Sequence, residues 1–309
     1  MTQGLHHVTA ISGPARRNLD FYTRTLGLRL VKKTVNFDDP GSYHLYYGND
    51  AAGPGSLLTF FPWEHAAPGR AGIGETQETR FRVPEAAIGF WTHRLIAEAV
   101  PHEAPVRLFG ETVLAFRDPD GMRLALVGVP GIEGEPAAGT DAIPAEAAIR
   151  GLHGVSLLLR EAGATGAILT DVLGFAEAGR EGTVLRYRSG SGIGGLVDIR
   201  EAGEFLPGRM GAGSVHHIAF RAADDAEQAA MRTRLAETHG LRTTEQQDRN
   251  YFRSLYFREP GGVLFEIATD GPGFTVDEPL ADLGRGLKLP AQYEPYRQEI
   301  EARLPALTD

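Results

Sequence analysis

Apolar residues in this chain come mostly in runs of strand length closed off by Gly and Pro, and between them lie stretches spaced as on a helix. The first group opens with LHHVTAIS and passes into PARRNLDFYTRTLGLRL, where Leu19, Tyr22 and Leu26 fall at helical spacing and Gly27 ends the run. It then turns to strand-like SYHLYYG and SLLTFFPW. The same order recurs. ETRFRVP, EAAIGFWTHRLIAEA, TVLAFRDPDG and MRLALVGV form a second group. LHGVSLLLR, ATGAILTDVLG, TVLRYRSG and GGLVDIRE form a third, and VHHIAFRAADD, AEQAAMRTRLAETHG, SLYFREPG and GVLFEIATD a fourth. Gly27, Gly174 and Gly240 each follow the helix of their group, where a residue free to turn left-handed stops it. The pattern predicts an α+β fold built from four βαβββ modules.

Between the second and third modules the periodicity lapses into GIEGEPAAGTDAIP, dense in Gly, Ala and Pro. The expected division is an N-terminal domain at 1–130 with two modules, a linker at 131–148, a C-terminal domain at 149–271 with two more, and a tail at 272–309. In the tail, EPYRQEIEARL carries a short amphipathic helical pattern that would strap a site or meet a second subunit.

The modules can be laid over one another. FRDPDGMRLALVGV at 116–129 matches FREPGGVLFEIATD at 257–270 with a constant offset of 141 residues, a hairpin whose tight turn is Pro-Asp-Gly or Pro-Gly-Gly. In that register Glu266 falls on Ala125, His7 on Gly154 and His217 on Glu78. A residue needed only for folding would recur in every copy. These do not, and the asymmetry points to a site.

Composition narrows the chemistry. The formal charge of −9 argues against nucleic acid as a partner, since phosphate binding needs a basic surface. Cys is absent, which excludes disulfides, thiolate catalysis and Cys-held metal, so a transition metal would rest on His and carboxylate. The opening MTQGLHHVTAISGPARR does not read as a signal peptide, and no apolar run approaches the roughly 18 residues that span a bilayer. A cytoplasmic protein without a membrane partner is expected.

Two His-His pairs, His6-His7 and His216-His217, stand in matching strands, and Glu266 interrupts the apolar VLFEIA. A buried, unpaired carboxylate is costly and demands a cation or a neutralising partner. Two imidazoles and one carboxylate make the protein side of a facial iron(II) site that leaves other positions open. Strand alternation puts neighbouring residues on opposite faces, so His7 shares a face with Thr9, and His217 with Ala219.

The opening LHHVTAISGPARRNLDFYTRTLGLRLVKKTVNFDDPGSYHLYYG, together with VHHIAFR, DRNYFRSLYFREPGG and VLFEIATD, resembles the hydroquinone-type ring-cleaving dioxygenases of the vicinal oxygen chelate superfamily. Glyoxalase I and the fosfomycin and bleomycin resistance proteins belong to the same superfamily. The resemblance covers residues 4 to about 270. It implies two half-barrel domains in which modules one and four pair around a metal held by His7, His217 and Glu266. The metal would be Fe(II), with Mn(II) accepted by the same ligands. His6 and His216 would point away or lie just behind the ligands, where they could serve as acid–base groups, and Arg249 and Tyr256 would orient substrate or steady anionic oxygen. Thr9 is a further candidate for the site.

The implied function is extradiol-type cleavage of a substituted or unsubstituted hydroquinone or catechol with O2, by a chain that assembles with copies of itself. Two alternatives stay open on the same fold. One is a glyoxalase-like isomerase or thiol transferase, which would recruit a fourth protein ligand where module one offers only Leu58–Phe60. The other is a metal-free binding or resistance protein. Tyr43, Tyr46 and Tyr47 read first as core, Trp63 and Trp91 as packing residues, and the remaining histidines, His44 and His153 among them, have no ligand spacing.

Overall fold

The structure is a computed structural model that describes residues 4–307; the first residues of the expected N-terminal domain and the last of the tail lie outside them. The four modules are legible in chain order. Module one holds β1 (Leu5–Ser12), α1 (Ala15–Asp20, continued by a π turn over Phe21–Thr25), β2 (Arg29–Asn36), β3 (Asp39–Gly48) and β4 (Leu57–Pro62). Module two holds β5 (Glu75–Pro84), α2 (Ile88–Ala97), β6 (Val106–Leu108), β7 (Glu111–Arg117) and β8 (Arg123–Val129). Module three holds β9 (Leu152–Leu159), α3 (Gly163–Asp171), β10 (Ala176–Glu181), β11 (Val184–Arg188) and β12 (Leu196–Glu201). Module four holds β13 (Val215–Ala222), α4 (Asp225–His239), β14 (Gln247–Asp248), β15 (Phe252–Arg258) and β16 (Leu264–Pro272), and the tail adds α5 (Arg297–Arg303).

Helix ends follow the chemistry of the sequence. Asp224 caps α4 by accepting from the Glu227 backbone N–H at 2.9 Å, and Gly240 closes it at φ 64°. Gly27 and Gly174 take the same left-handed conformation at φ 69° and 74° after their helices. The matched hairpins share a device as well. Asp118 accepts from the backbone of Asp120 and Met122, and Glu259 from that of Gly261 and Val263, so one carboxylate ties each turn.

The strands form two eight-stranded sheets, β14-β15-β16-β13-β1-β4-β3-β2 and β10-β11-β12-β9-β5-β8-β7-β6. Modules one and four make the first sheet, modules two and three the second, and each half of the sequence sends one module to each. In every module the first strand runs parallel to the last, while the modules join antiparallel, β1 to β13 and β5 to β9. The result is the α+β pair of half-barrels that the resemblance implied.

One continuous apolar core binds the sheets through their helix-covered faces, with Tyr22, Trp91, Ile168 and Leu235 supplied by the four module helices. The opposite face of each sheet is left for other work. Across that face of the first sheet the tail inserts Phe274 and Leu283 among Tyr46, Tyr251 and Phe252. Its carboxylates Asp277 and Glu278 hold the fully buried Lys32. No helix of the described residues is long and apolar enough to cross a membrane.

Candidate metal centre

His7 lies on β1 and His217 on β13, and the register Thr9↔His217 and His7↔Ala219 places them diagonally across the seam between modules one and four. Glu266, on β16, is paired with Ala219 across the next ladder. The three side chains meet. His217 Nε2 is 2.9 Å from Glu266 Oε2, His7 Nε2 is 3.5 Å from the same oxygen, and the two nitrogens are 3.4 Å apart. All three residues are buried, Glu266 completely.

The contacts are close without being a closed hydrogen-bond set. Glu266 Oε1 accepts from Ser254 Oγ, but Oε2 has no aligned hydrogen-bond donor among the described residues although His217 Nε2 is near. Three donor atoms, each within about 3.5 Å of the other two, crowd one point and are placed as ligands around a common centre would be. Neighbouring ligands about 2.1 Å from a metal would stand roughly 3 Å apart on one face, close to the observed spacing. The residues therefore fit a divalent cation.

Electrostatics agree. Burial opposes the Glu266 charge, yet His7 and His217 outweigh it and hold the carboxyl well below the usual range. Burial pushes His217 down as well, so it stays neutral with a lone pair to offer.

The first histidine of each pair is not where strand alternation puts it. The β1–β13 register slips between Leu5 and His7, and again between Thr9 and Ala10 opposite His217 and Val215. His6 and His216 are thus the extra residues of two β-bulges related by the pseudo-twofold of the seam. A bulge turns its residue toward its neighbour's side. His6 Nδ1 lies 2.9 Å from His7 Nδ1, and His216 Nδ1 lies 2.8 Å from His217 Nδ1. Of the two expectations for these rings, they do not point away but lie behind the inner pair as its hydrogen-bond partners. An imidazole that presents the Nε2 lone pair must carry its proton on Nδ1, and each outer histidine is placed to accept it. His6 also hydrogen-bonds the Thr269 backbone and packs on Phe252, so its ring is fixed on every side.

A cavity of about 360 Å³ opens above the triad and is lined by His7, His217 and Glu266 at its floor. Tyr256 and Arg249 line it too, with the guanidinium 5.6 Å above the Tyr256 ring. Burial and the Glu266 charge raise the Tyr256 hydroxyl above its ordinary pKa, so it is a proton donor there rather than a base. His216 also lines the cavity, and burial lowers it to about 4. Thr9 is not among the lining residues; its Oγ1 is 2.8 Å from Thr59 Oγ1, beside the ligand row.

Several cavity residues escaped the sequence reading. His44 Nε2 bonds Thr59 Oγ1 at 2.9 Å and its Nδ1 bonds the Tyr46 hydroxyl at 2.9 Å. This continues the Thr9–Thr59 bond into a chain on the wall opposite module four. Tyr46 thus lines the cavity, while Tyr43 and Tyr47 pack in the core. Trp63 stands partly exposed at the mouth, whereas Trp91 packs inside. Ser254 had a readable signal: it shares strand parity with Tyr256, hence a face with it. His44 had none, because its role depends on module one curling over module four.

Comparison with known proteins places this geometry. A family model described as the Glyoxalase/Bleomycin resistance protein/Dioxygenase superfamily matches residues 4–126. The chain is 46% identical over 304 residues to "Putative ring-cleaving dioxygenase MhqO" of Bacillus subtilis (strain 168), covering 98% of this chain and 96% of that one. It is 35% identical over 309 residues to "Chlorohydroquinone/hydroquinone 1,2-dioxygenase" of Sphingobium indicum, covering 96% and 94%. The crystal structure of a "putative dioxygenase" from Bacillus subtilis aligns with a TM-score of 0.94 at 44% identity, over 99% of this chain and 98% of that one.

Proposed function

The chain belongs to the glyoxalase/bleomycin resistance protein/dioxygenase superfamily, and we propose that within it this protein is a non-haem, Fe(II)-dependent, extradiol-type ring-cleaving dioxygenase. Its substrate is a hydroquinone or catechol, with or without ring substituents, and its co-substrate is O2. The observation that carries the reading is the convergence of His7 Nε2, His217 Nε2 and Glu266 Oε2 on one point beneath a cavity of single-ring size. The names of the relatives support the same reaction class.

His7, His217 and Glu266 would hold the iron. Bound there, Fe(II) supplies a Lewis acid that lowers a phenol's pKa and a redox centre that lets ring and dioxygen exchange electrons. The chain's own groups do the rest. His6 and His216 fix the tautomer and the aim of the two ligand imidazoles through their Nδ1 atoms. With Nδ1 so engaged, His216 has only Nε2 left for a ring oxygen. Tyr256, protonated, donates its hydroxyl hydrogen to an oxygen that gains negative charge, and Arg249 beside it adds a full positive charge. Phe61, Trp63 and Phe252 give the ring apolar walls and keep bulk water out.

A glyoxalase-like site on this fold would take a fourth protein ligand from the last strand of module one. The residue there is Thr59, already committed to Thr9 and His44. That favours a side left open for substrate and O2.

The test is anaerobic reconstitution with Fe(II), or with Mn(II) in parallel, followed by oxygen uptake over a panel of hydroquinones and catechols. Stoichiometric uptake with loss of ring absorbance is expected with iron. Uptake that survives in Glu266→Ala with iron retained would overturn the ligand assignment, and no uptake with any diol would overturn the reaction.

A further inference from the structure

Arg249 is the one Lys or Arg among the described residues that line the cavity, and its charge is already engaged. Its Nη1 and Nη2 lie 3.5 and 3.3 Å from the two carboxylate oxygens of Asp38. Asp38 sits in the β2–β3 turn, which reaches from module one across the mouth of the cavity to module four.

That turn is held in place. The Asp38 backbone N–H donates to Asn36 Oδ1 at 3.0 Å, and the Tyr293 hydroxyl of the tail donates to the Phe37 carbonyl at 2.8 Å. Upstream, the Lys288 backbone N–H donates to the Lys33 carbonyl at 2.9 Å, and Leu289 and Ile300 pack on Val35. The tail is thus a strap on the hairpin that carries Asp38, and it keeps a carboxylate at the rim.

We propose that Asp38 is a specificity-determining residue: by neutralising Arg249 at the cavity mouth it turns away rings that carry a carboxylate and leaves the site to uncharged diols. The inference rests on the aromatic-diol reading above. A carboxylated ring needs a free cation to replace the water it loses. Here it meets a guanidinium already paired and a like charge beside it. The Asp38 side chain is 77% exposed and the pair adds little to fold stability, so its removal changes what a ligand meets rather than whether the chain folds.

Trp63 lines the same cavity while Trp91 is fully buried, so quenching of Trp63 fluorescence reports ring binding without turnover. The experiment uses Fe(II)-loaded protein under anaerobic conditions and compares the Kd of hydroquinone with that of 2,5-dihydroxybenzoate. Wild type should prefer hydroquinone. Asp38→Asn should shift the ratio of the two Kd values about two- to fivefold toward the carboxylated ring at low salt, the effect of one nearby, largely exposed like charge. Arg249→Gln added to that variant should cancel the shift. An unchanged ratio in Asp38→Asn, or a wild type that binds both rings equally, overturns the proposal while leaving the diol reading standing. If neither ring binds wild type, the diol reading falls and takes this proposal with it.

Discussion

In the first sheet the equivalent positions on β1, β4, β13 and β16 hold His7, Thr59, His217 and Glu266; in the second, β9, β12, β5 and β8 hold Gly154, Asp198, Glu78 and Ala125. The pairing is the same to the residue. His7↔Ala219 becomes Gly154↔Arg80, Thr9↔Thr59 becomes Ser156↔Asp198, and Ala219↔Glu266 becomes Arg80↔Ala125. Even the bulges recur, so that His153 stands where His6 does and Gln77 where His216 does.

The content of the two faces differs in charge. In the second sheet Arg80 binds Glu78 at 2.7 Å and also Asp198, while Arg186 grips Asp198 through two nitrogens and reaches Glu111 at 2.6 Å. His153 bonds the same Glu111 at 3.1 Å. Each of these carboxylates has a guanidinium. In the first sheet Glu266 faces imidazoles, and Ala219 stands where the second sheet has Arg80. A Cβ at Gly154 would fall 2.2 Å from the Leu196 carbonyl, so the second sheet has no room for a ligand at the position of His7. One scaffold thus gives each of these carboxylates a guanidinium partner on one side. On the other, Glu266 has imidazoles and no guanidinium, which is the physical argument for a metal.

Removing that side's acid should have the largest effect. Glu266→Ala or His217→Ala is expected to lose both iron and oxygen uptake below detection while the circular dichroism spectrum stays native, because neither residue belongs to the shared apolar core. Metal analysis beside an oxygen electrode checks it. Iron retained by Glu266→Ala would break the comparison.

The mirror experiment belongs to the second sheet. Arg80→Met strips Glu78 of its close guanidinium and leaves Asp198 to Arg186 alone, and breaking this buried pair should destabilise the fold by about 3 kcal/mol. Urea denaturation reads the loss, and the iron content of the folded fraction should be unchanged. A variant that lost iron with no change in stability would mean the two faces are not independent.

The bulge histidines separate the two sides more finely. His6→Ala should weaken Fe(II) affinity about 10- to 100-fold, the usual effect of removing a ligand's hydrogen-bond partner, measured by competition with a chelator. His153→Ala, at the same bulge of the other sheet, should leave iron affinity alone and lower stability by about 1 kcal/mol. Equal effects on iron would show that the outer histidines act only as packing.

How much of this was legible in the chain follows from the range of each interaction. Helix stops at Gly27, Gly174 and Gly240 and the tight hairpin turns are recorded within single modules, where spacing is informative, and the uneven placing of His7, His217 and Glu266 emerges when the modules are laid over one another. The aim of His6 and His216 was not, because a bulge is a property of two paired strands some 210 residues apart, and alternation within one strand predicts the opposite. His44, Tyr46 and Trp63 looked like ordinary aromatic strand residues, and only the curl of the sheet brings them over the cavity. The tail's helical pattern was visible at Arg297–Arg303, but its strap on Val35 and Phe37 rests on contacts about 250 residues away in sequence.

The smallest effect tests where the first sheet's polarity ends. Thr59 joins Thr9 to His44 and through it to Tyr46, a chain that runs beside the ligands without touching them. Thr59→Val keeps the shape and removes the hydroxyl, which unties two buried hydrogen bonds and should lower stability by about 1–2 kcal/mol. Asp198, its counterpart, anchors two arginines and could not be replaced so lightly. If the chain only stiffens the wall, Thr59→Val should keep its iron and its oxygen uptake, and only the KM for the ring should rise as His44 and Tyr46 loosen. A fall in iron affinity to match His6→Ala would instead place Thr59 among the groups that aim the metal, and the site would extend one strand further into module one than its geometry indicates.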